Sequence, residues 1–177
     1  MESAPFTYRR VIMWVGRIVL GAIFVAAGCS KLFFPNHAML WPYPMLQFSV
    51  LANISNFGNQ VKSYQLLPAS GVEFVAHTLP FAEIALGLLL LIGWRFRIWA
   101  TIITLLMVGF WVVVTRAYLL HMQIDCGCFA ISEPITLRKV LEDSAMALLA
   151  VLMTVFAFQE ARKPHPWTAR QEVPRSA

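Results

Sequence analysis

The stretch "VIMWVGRIVLGAIFVAAGCSKLFF", residues 11–34, is an almost unbroken apolar run in which Arg17 and Lys31 are the only charges. A helix needs roughly 20 apolar residues to cross a bilayer, so this run is long enough to do so. Three further apolar runs of spanning length follow, at about 75–92, 98–120 and 137–158. The pattern predicts an all-α membrane protein, a bundle of four transmembrane helices.

Composition supports the same class. Of the 177 residues, 59% are hydrophobic and 13% charged, and the mean hydropathy is +0.66. A soluble domain has about 25% charged residues, so the chain lies far outside that class. We predict one membrane domain over residues 1–159, in contact with the lipid bilayer, and a tail at 160–177. The net charge of +5 comes from residues near the ends of the apolar runs, which argues against a nucleic-acid-binding patch.

The loop at 35–74 contains prolines and asparagines that rule out a fifth span. We expect an outward loop with room for a short interfacial helix, and Trp41 and Tyr43 suit the headgroup region.

Basic residues predict the orientation through the positive-inside rule. One side carries Arg9, Arg10, Arg95, Arg97, Arg162, Lys163, Arg170 and Arg175, and the other has the smaller set Lys31, Lys62, Arg116, Arg138 and Lys139. Both termini are therefore predicted to be cytoplasmic. In a bacterial inner membrane, the loop between the third and fourth spans then faces the periplasm, where disulfides persist.

That loop contains "IDCGCF", residues 124–129, in which Cys126 and Cys128 flank Gly127. A disulfide between them closes a very small, strained ring that is easily reduced, so it suits exchange chemistry better than stapling. Asp125 disfavours a neighbouring thiolate unless a cation offsets it, and acts either as a proton acceptor or as a turn residue.

A metal site remains an alternative for the same loop. It would combine the two cysteines with His121 or Asp125, and with Met122 for copper(I). The spacing is not that of a zinc knuckle, and no second cysteine pair completes four ligands. The redox interpretation is preferred, with no metal assigned.

Three ionisable residues fall within the apolar runs at similar depth: Lys31, Glu83 and Asp143. Charges in a bilayer are costly unless paired, so we expect them to converge beneath the cysteine loop, with Lys31 bound to Glu83 or Asp143. Such a cluster either stabilises the arrangement of the helices or has a catalytic role, as a proton path or a quinone contact.

Cys29, the third cysteine, is interpreted as a buried thiol, with a resolving role as the alternative. The segment ending "AAGCSK" also imitates a lipoprotein signal, although Arg17 interrupts its apolar core.

Several blocks of the sequence resemble a known family: "RIVLGAIFVAAGCSKL" at 17–32, "SYQLLP" at 63–68, "LPFAEIALGLLLLIGWRFR" at 79–97, "DCGCF" at 125–129 and "LED" at 141–143. The chain resembles the DoxX-like and MauE-like redox-associated membrane proteins. The resemblance implies a four-helix bundle, periplasmic thiol–disulfide chemistry beside a thioredoxin-like partner and, for MauE, maturation of a disulfide-rich methylamine dehydrogenase subunit.

We therefore predict a membrane thiol–disulfide oxidoreductase in which Cys126 and Cys128 cycle between dithiol and disulfide and assist the maturation of a periplasmic enzyme. Electrons pass onward to a quinone in one version of this hypothesis. The alternative from another class is a non-catalytic structural or assembly subunit of a larger membrane electron-transfer complex. A transporter is the third interpretation.

Overall fold

The computed structural model describes residues 4–33, 50–127 and 134–161. Its helices are α1 (Ala4–Phe33), α2 (Val50–Ser63), α3 (Ala69–Ile92), α4 (Phe96–Leu119) and α5 (Leu137–Ala161). In these ranges there is no strand, and the one isolated bridge joins Asp125 to Pro134. Four of the described helices, all but α2, are long and apolar enough to cross a membrane, which confirms the prediction of four helices of spanning length.

Two of these helices, α1 and α3, begin six or more residues before the apolar runs that predicted them. Helix α1 starts at Ala4 instead of residue 11, because polar residues such as Arg9 and Arg10 extend the helix beyond its apolar part. Helix α3 starts at Ala69 instead of residue 75, directly after Pro68 at its N-cap with φ −65°. The fixed φ of proline suits the start of a helix.

Helices α1 and α3 pack closely through glycines. A β-carbon on Gly21 would lie 2.7 Å from Leu91, one on Gly28 would lie 2.5 Å from the Pro80 carbonyl oxygen, and one on Gly87 would lie 2.7 Å from the Gly21 carbonyl oxygen. Only a missing side chain lets the two backbones approach this far. Gly21 and Gly28 of α1 and Gly87 of α3 therefore allow the close approach of the two helices.

The core at the centre of the bundle is apolar and is shared by all four spans. Leu20 of α1, Leu90 of α3, Ile103 of α4 and Met153 of α5 are fully buried within it. The outer surface is apolar as well, with Leu105 of α4 68% exposed. An apolar exterior around an apolar core is what a lipid environment requires, and the chain is a multi-pass membrane protein.

Helix α2 occupies part of the predicted 35–74 loop. Its buried residues Ile54 and Phe57, one turn apart, pack with Leu32 of α1 and Ala76 of α3. The side-chain amide of Asn53 donates a hydrogen bond to the Leu32 carbonyl oxygen at 2.9 Å. The short helix is thus attached to the bundle, while Trp41 and Tyr43 lie outside the described residues.

The tight connection from α3 to α4 lies at the end opposite the cysteine loop. Gly93 caps α3 with φ +78°, a left-handed value that favours glycine. Arg17 of α1 donates through Nε to the Leu91 carbonyl oxygen at 3.1 Å and lies 5.1 Å from the Trp14 ring centroid. Arg17 therefore ties α1 to the end of α3.

Candidate functional site: the cysteine loop and the charged cavity

The loop after α4 leads directly to Cys126. The backbone N–H groups of Leu120, His121 and Met122 bond to the last carbonyl groups of α4, so the chain turns sharply at the helix end. Gly127 follows with φ +70°, a backbone conformation that is strained for any residue with a side chain. A β-carbon there would lie 3.2 Å from Gln60 Oε1. The backbone conformation thus favours glycine between the cysteines, and a side chain there would also require Gln60 to shift.

Of the three cysteines, two belong to the described residues. Cys126 is buried, with 6% of its surface exposed, and is disulfide-bonded. Cys29 is a half-buried free thiol in α1. Cys128 lies outside the described residues, so its pairing with Cys126 stays a prediction.

Tyr64 fixes the cysteine loop to the helices. Its hydroxyl donates a hydrogen bond to the Cys126 carbonyl oxygen at 2.7 Å, and the Tyr64 carbonyl oxygen accepts one from Arg116 Nη1 at 3.4 Å. Burial, together with the negative charges of Asp143 and Asp125, raises the pKa of Tyr64 to about 12. The hydroxyl therefore remains a hydrogen-bond donor throughout the physiological pH range.

Tyr64 has no role in the sequence-based prediction. It lies in the block "SYQLLP", which carries part of the family resemblance, but nothing near it in the chain points to Cys126, which is 62 residues away. Its position just after α2 was the one indication that it could lie near the cysteine loop, because that helix ends on the same side of the bundle as the loop.

Asp125 lines the other side of this loop. It pairs with Pro134 in an isolated antiparallel bridge, and Ile135 N–H donates to the Ile124 carbonyl oxygen at 3.3 Å. Asp125 also borders a cleft of about 590 Å³ at this end of the bundle, together with Gln60 and His121. Consecutive residues of the loop thus face different surroundings, since Cys126 and Gly127 line a separate apolar groove.

Lys31 and Glu83 form a buried ion pair between α1 and α3. The Lys31 Nζ atom lies 2.6 Å from Glu83 Oε1 and 2.7 Å from Oε2, and the residues are 5% and 3% exposed. The ammonium group also lies 5.0 Å from the ring centroid of Phe57 and 5.9 Å from that of Phe110. These contacts stabilise a charge that lipid surroundings would otherwise disfavour.

Asp143 meets this pair across a small cavity. Its carboxylate lies 3.5 Å from Lys139 Nζ, one turn earlier in α5. Lys31, Glu83, Lys139 and Asp143 line one cavity of about 60 Å³. The structure thus brings the three predicted intramembrane charges together and adds Lys139. The volume suffices for a few water molecules.

The cations near the loop have partners of their own. Arg138 Nε lies 2.8 Å from Glu142 Oε1 on the exposed face of α5, Lys139 pairs with Asp143, and Arg116 contacts the Tyr64 carbonyl. Among the residues that the structure describes, no three His, Cys, Asp or Glu side chains cluster as metal ligands would.

Comparison with known families matches residues 9–156 to the family described as methylamine utilisation protein MauE. The chain belongs to the MauE family. A curated relative named methylamine utilization protein MauE, from Paracoccus denitrificans, is 26% identical over 152 residues, which cover 84% of this chain and 71% of the relative. No solved structure matches the chain.

Membership of the MauE family confirms that part of the resemblance, while the DoxX-like part stays a prediction. The matched region contains the whole candidate site, from Lys31 in α1 through Tyr64 and Glu83 to Cys126 and Asp143. The cysteine loop and the charged cavity therefore both belong to the MauE-like domain.

Proposed function

We propose that this MauE-family protein is a membrane thiol–disulfide redox protein of methylamine utilisation, which assists the maturation of a periplasmic enzyme. Cys126 and Cys128 are its reactive pair, and they exchange with a thioredoxin-like protein or with the enzyme undergoing maturation. The involvement in methylamine utilisation comes from the name of the relative. The thiol chemistry comes from the cysteine loop.

The state of the cysteines carries this proposal. Cys126 is disulfide-bonded while Cys29 is a free thiol, so Cys29 is not the partner of Cys126. Cys128 is then the cysteine of this chain that remains as partner. A ring with a single residue between the sulfurs restrains few unfolded conformations, so its contribution to stability is small and its value lies in exchange.

The site also suits a surface partner. The cleft beside Asp125 has Gln60, Ser63 and His121 along its wall, and these polar side chains fit a hydrophilic polypeptide at the membrane surface. With both termini cytoplasmic, this cleft opens into the periplasm of the bacterial inner membrane, where thioredoxin-like proteins exchange disulfides. Asp125 at its edge is a proton acceptor for the attacking thiol.

The proposal is tested by titrating the cysteines in isolated membranes. The membranes are equilibrated with a series of glutathione ratios, and free thiols are trapped with a mass-tagged alkylating reagent. We expect a reversible two-electron couple well above about −300 mV, the value below which structural disulfides typically lie. Cys126→Ser should abolish this two-electron couple, whereas Cys29→Ser, the matched control, should preserve it.

The other outcome favours a different class of function. If Cys126 and Cys128 stay in one redox state at every ratio, and Cys126→Ser leaves growth on methylamine unchanged, the redox proposal is wrong. The protein is then a non-catalytic assembly subunit of a larger membrane complex, which co-purification at fixed stoichiometry would reveal.

A further inference from the structure

An apolar groove reaches from the membrane-facing surface to Cys126. It has a volume of about 360 Å³ and lies between α2, α3 and α4, with the segment after α2 at one edge and Cys126 and Gly127 at one end. This size is within the range of small-molecule sites, roughly 300 to 1,000 Å³. Leu105 of α4, which lines the groove, is 68% exposed on the outside of the bundle, so the groove opens where lipid surrounds the protein.

Gly109 lines this groove at an exposed position of α4, and the helix packing does not explain it. A β-carbon on Gly109 would have no atom within 4 Å, in contrast to those on Gly21, Gly28 and Gly87. Glycine inside a helix costs roughly 0.5–1 kcal/mol relative to alanine. A glycine with open space beside it is expected where a ligand approaches the backbone closely.

The groove also has polar groups at the end that carries the cysteine. Gln60 and Tyr64 are polar side chains among the groove residues, and both lie beside Cys126 and Gly127. The Tyr64 hydroxyl already donates to the Cys126 carbonyl oxygen, so the two N–H donors of the Gln60 amide remain for a ligand. A hydrocarbon chain has no use for such donors, whereas a ring with carbonyl oxygens does. Apolar walls with a few convergent polar groups are typical of sites for cofactors.

We propose that this groove binds the head group of a membrane quinone and that the quinone oxidises the dithiol to which Cys126 belongs. The inference rests on the proposed function and adds its electron acceptor. The two thiols lose two electrons and two protons, the S–S bond forms, and the two carbonyl oxygens of the quinone take up the electrons and protons to give the quinol. The flat ring lies against Gly109, with its tail directed past Leu105 into the lipid.

This location differs from the one expected for a quinone near the intramembrane charges. The cavity lined by Lys31, Glu83 and Asp143 is about 60 Å³, which is too small for a ring cofactor. Phe110 borders both this cavity and the groove, so the charged cavity lies directly behind the groove wall.

The test uses the purified full-length protein in lipid nanodiscs, reduced and freed of reductant under anaerobic conditions. A short-chain ubiquinone is added, whose fully substituted ring offers no hydrogen-bearing carbon to a thiol. Quinone reduction is followed by ultraviolet absorbance and thiol loss by mass-tagged alkylation. We expect one quinone reduced for each pair of thiols lost.

Two matched variants locate the reaction. Gly109→Trp fills the groove and should slow quinone reduction at least tenfold, while Val112→Trp places the same side chain one turn away, at a 51% exposed position outside the groove, and should react like the wild type. The thermal midpoint of unfolding checks that both variants fold. Leu105→Trp provides a second obstruction if Gly109→Trp proves unstable.

The outcomes separate the two proposals. This inference is wrong, and the proposed function stands, if the wild type equilibrates with glutathione but reduces no quinone. The same holds if all variants reduce the quinone as fast as the wild type. The groove then holds a lipid chain. A protein whose cysteines do not respond to glutathione at all overturns both.

Discussion

Tyr64, directly after α2, holds the cysteine loop in place from a distant part of the chain. Its hydroxyl bonds to the backbone of Cys126, and its own carbonyl is held by Arg116. The contact uses only the main chain and does not involve the sulfur atom of Cys126, a residue that is 6% exposed. A loop fixed in this way holds Cys126 in one geometry, which lowers the entropy lost when a partner binds.

The raised pKa of Tyr64 predicts a pH dependence of stability. In the unfolded chain tyrosine ionises with a pKa of 10.0, whereas in the folded protein Tyr64 ionises at about 12. Between these values the unfolded state binds fewer protons, so the free energy of unfolding falls as pH rises. We expect this fall in the wild type and a flatter profile in Tyr64→Phe.

The measurement is denaturant unfolding in detergent at several pH values across this interval. Tyr8→Phe serves as the control, since Tyr8 is 47% exposed at the other end of the bundle, and its profile should follow the wild type. Parallel profiles for the wild type and Tyr64→Phe would show that Tyr64 does not ionise late in the folded state.

At the scale of elements, α1 and α3 form the closest helix pair because glycine faces glycine. Gly87→Ala would place a β-carbon 2.7 Å from the Gly21 carbonyl oxygen, so the backbones must separate. We expect a loss of about 1–3 kcal/mol in stability, the usual cost of overpacking, measured as a lower thermal midpoint in detergent.

Gly109→Ala is the matched control for this change. It adds the same methyl group to a helix where no atom lies within 4 Å. Because alanine is the better helix former, we expect no loss and a gain of up to about 1 kcal/mol. Equal destabilisation by both substitutions would contradict the role assigned to the Gly21 and Gly87 contact.

The pair of Lys31 and Glu83 joins the same two helices by charge. Removing one partner leaves a buried unpaired charge, which costs about 3–5 kcal/mol. We therefore expect Lys31→Met and Glu83→Leu to be strongly destabilising by themselves, and the double variant to be more stable than either. Unfolding of all four proteins in detergent forms the double-mutant cycle.

The same double variant separates the two interpretations of the charged cavity. If it retains reversible titration of Cys126, the ion pair is a clamp between α1 and α3. If it folds but loses the exchange reaction, the pair contributes to the chemistry. A double variant whose loss equals the sum of the single losses would show that the two charges do not depend on each other.

For the whole molecule, the distribution of charge predicts that the cysteine loop faces outward. In a variant whose native cysteines are replaced by serine, we expect Gln123→Cys to react with a membrane-impermeant maleimide in intact cells, and Trp94→Cys to react only after permeabilisation. Both positions are exposed at opposite ends of the bundle. The reverse pattern would place the cysteine loop in the cytoplasm and contradict a periplasmic partner.

The four spans were predictable because each is a local property of the chain, an apolar run of sufficient length. The early start of α3 was not, because Ser70, Gly71 and Glu73 lower the hydropathy of a segment that is nevertheless helical after Pro68. The convergence of Lys31, Glu83 and Asp143 followed from their similar depth. The choice of Glu83 as the partner of Lys31 required the close packing of α1 on α3, which only the structure contains.

The sequence by itself determined that the chain is a membrane bundle with a Cys-Gly-Cys loop, since hydrophobicity and glycine conformation act over a few neighbouring residues. The tertiary structure decided which groups surround that loop. Tyr64, Gln60 and Gly109 are far from Cys126 along the chain, and no short-range pattern relates them to it. They come together because helix packing, driven by contacts between surfaces, ignores separation along the sequence.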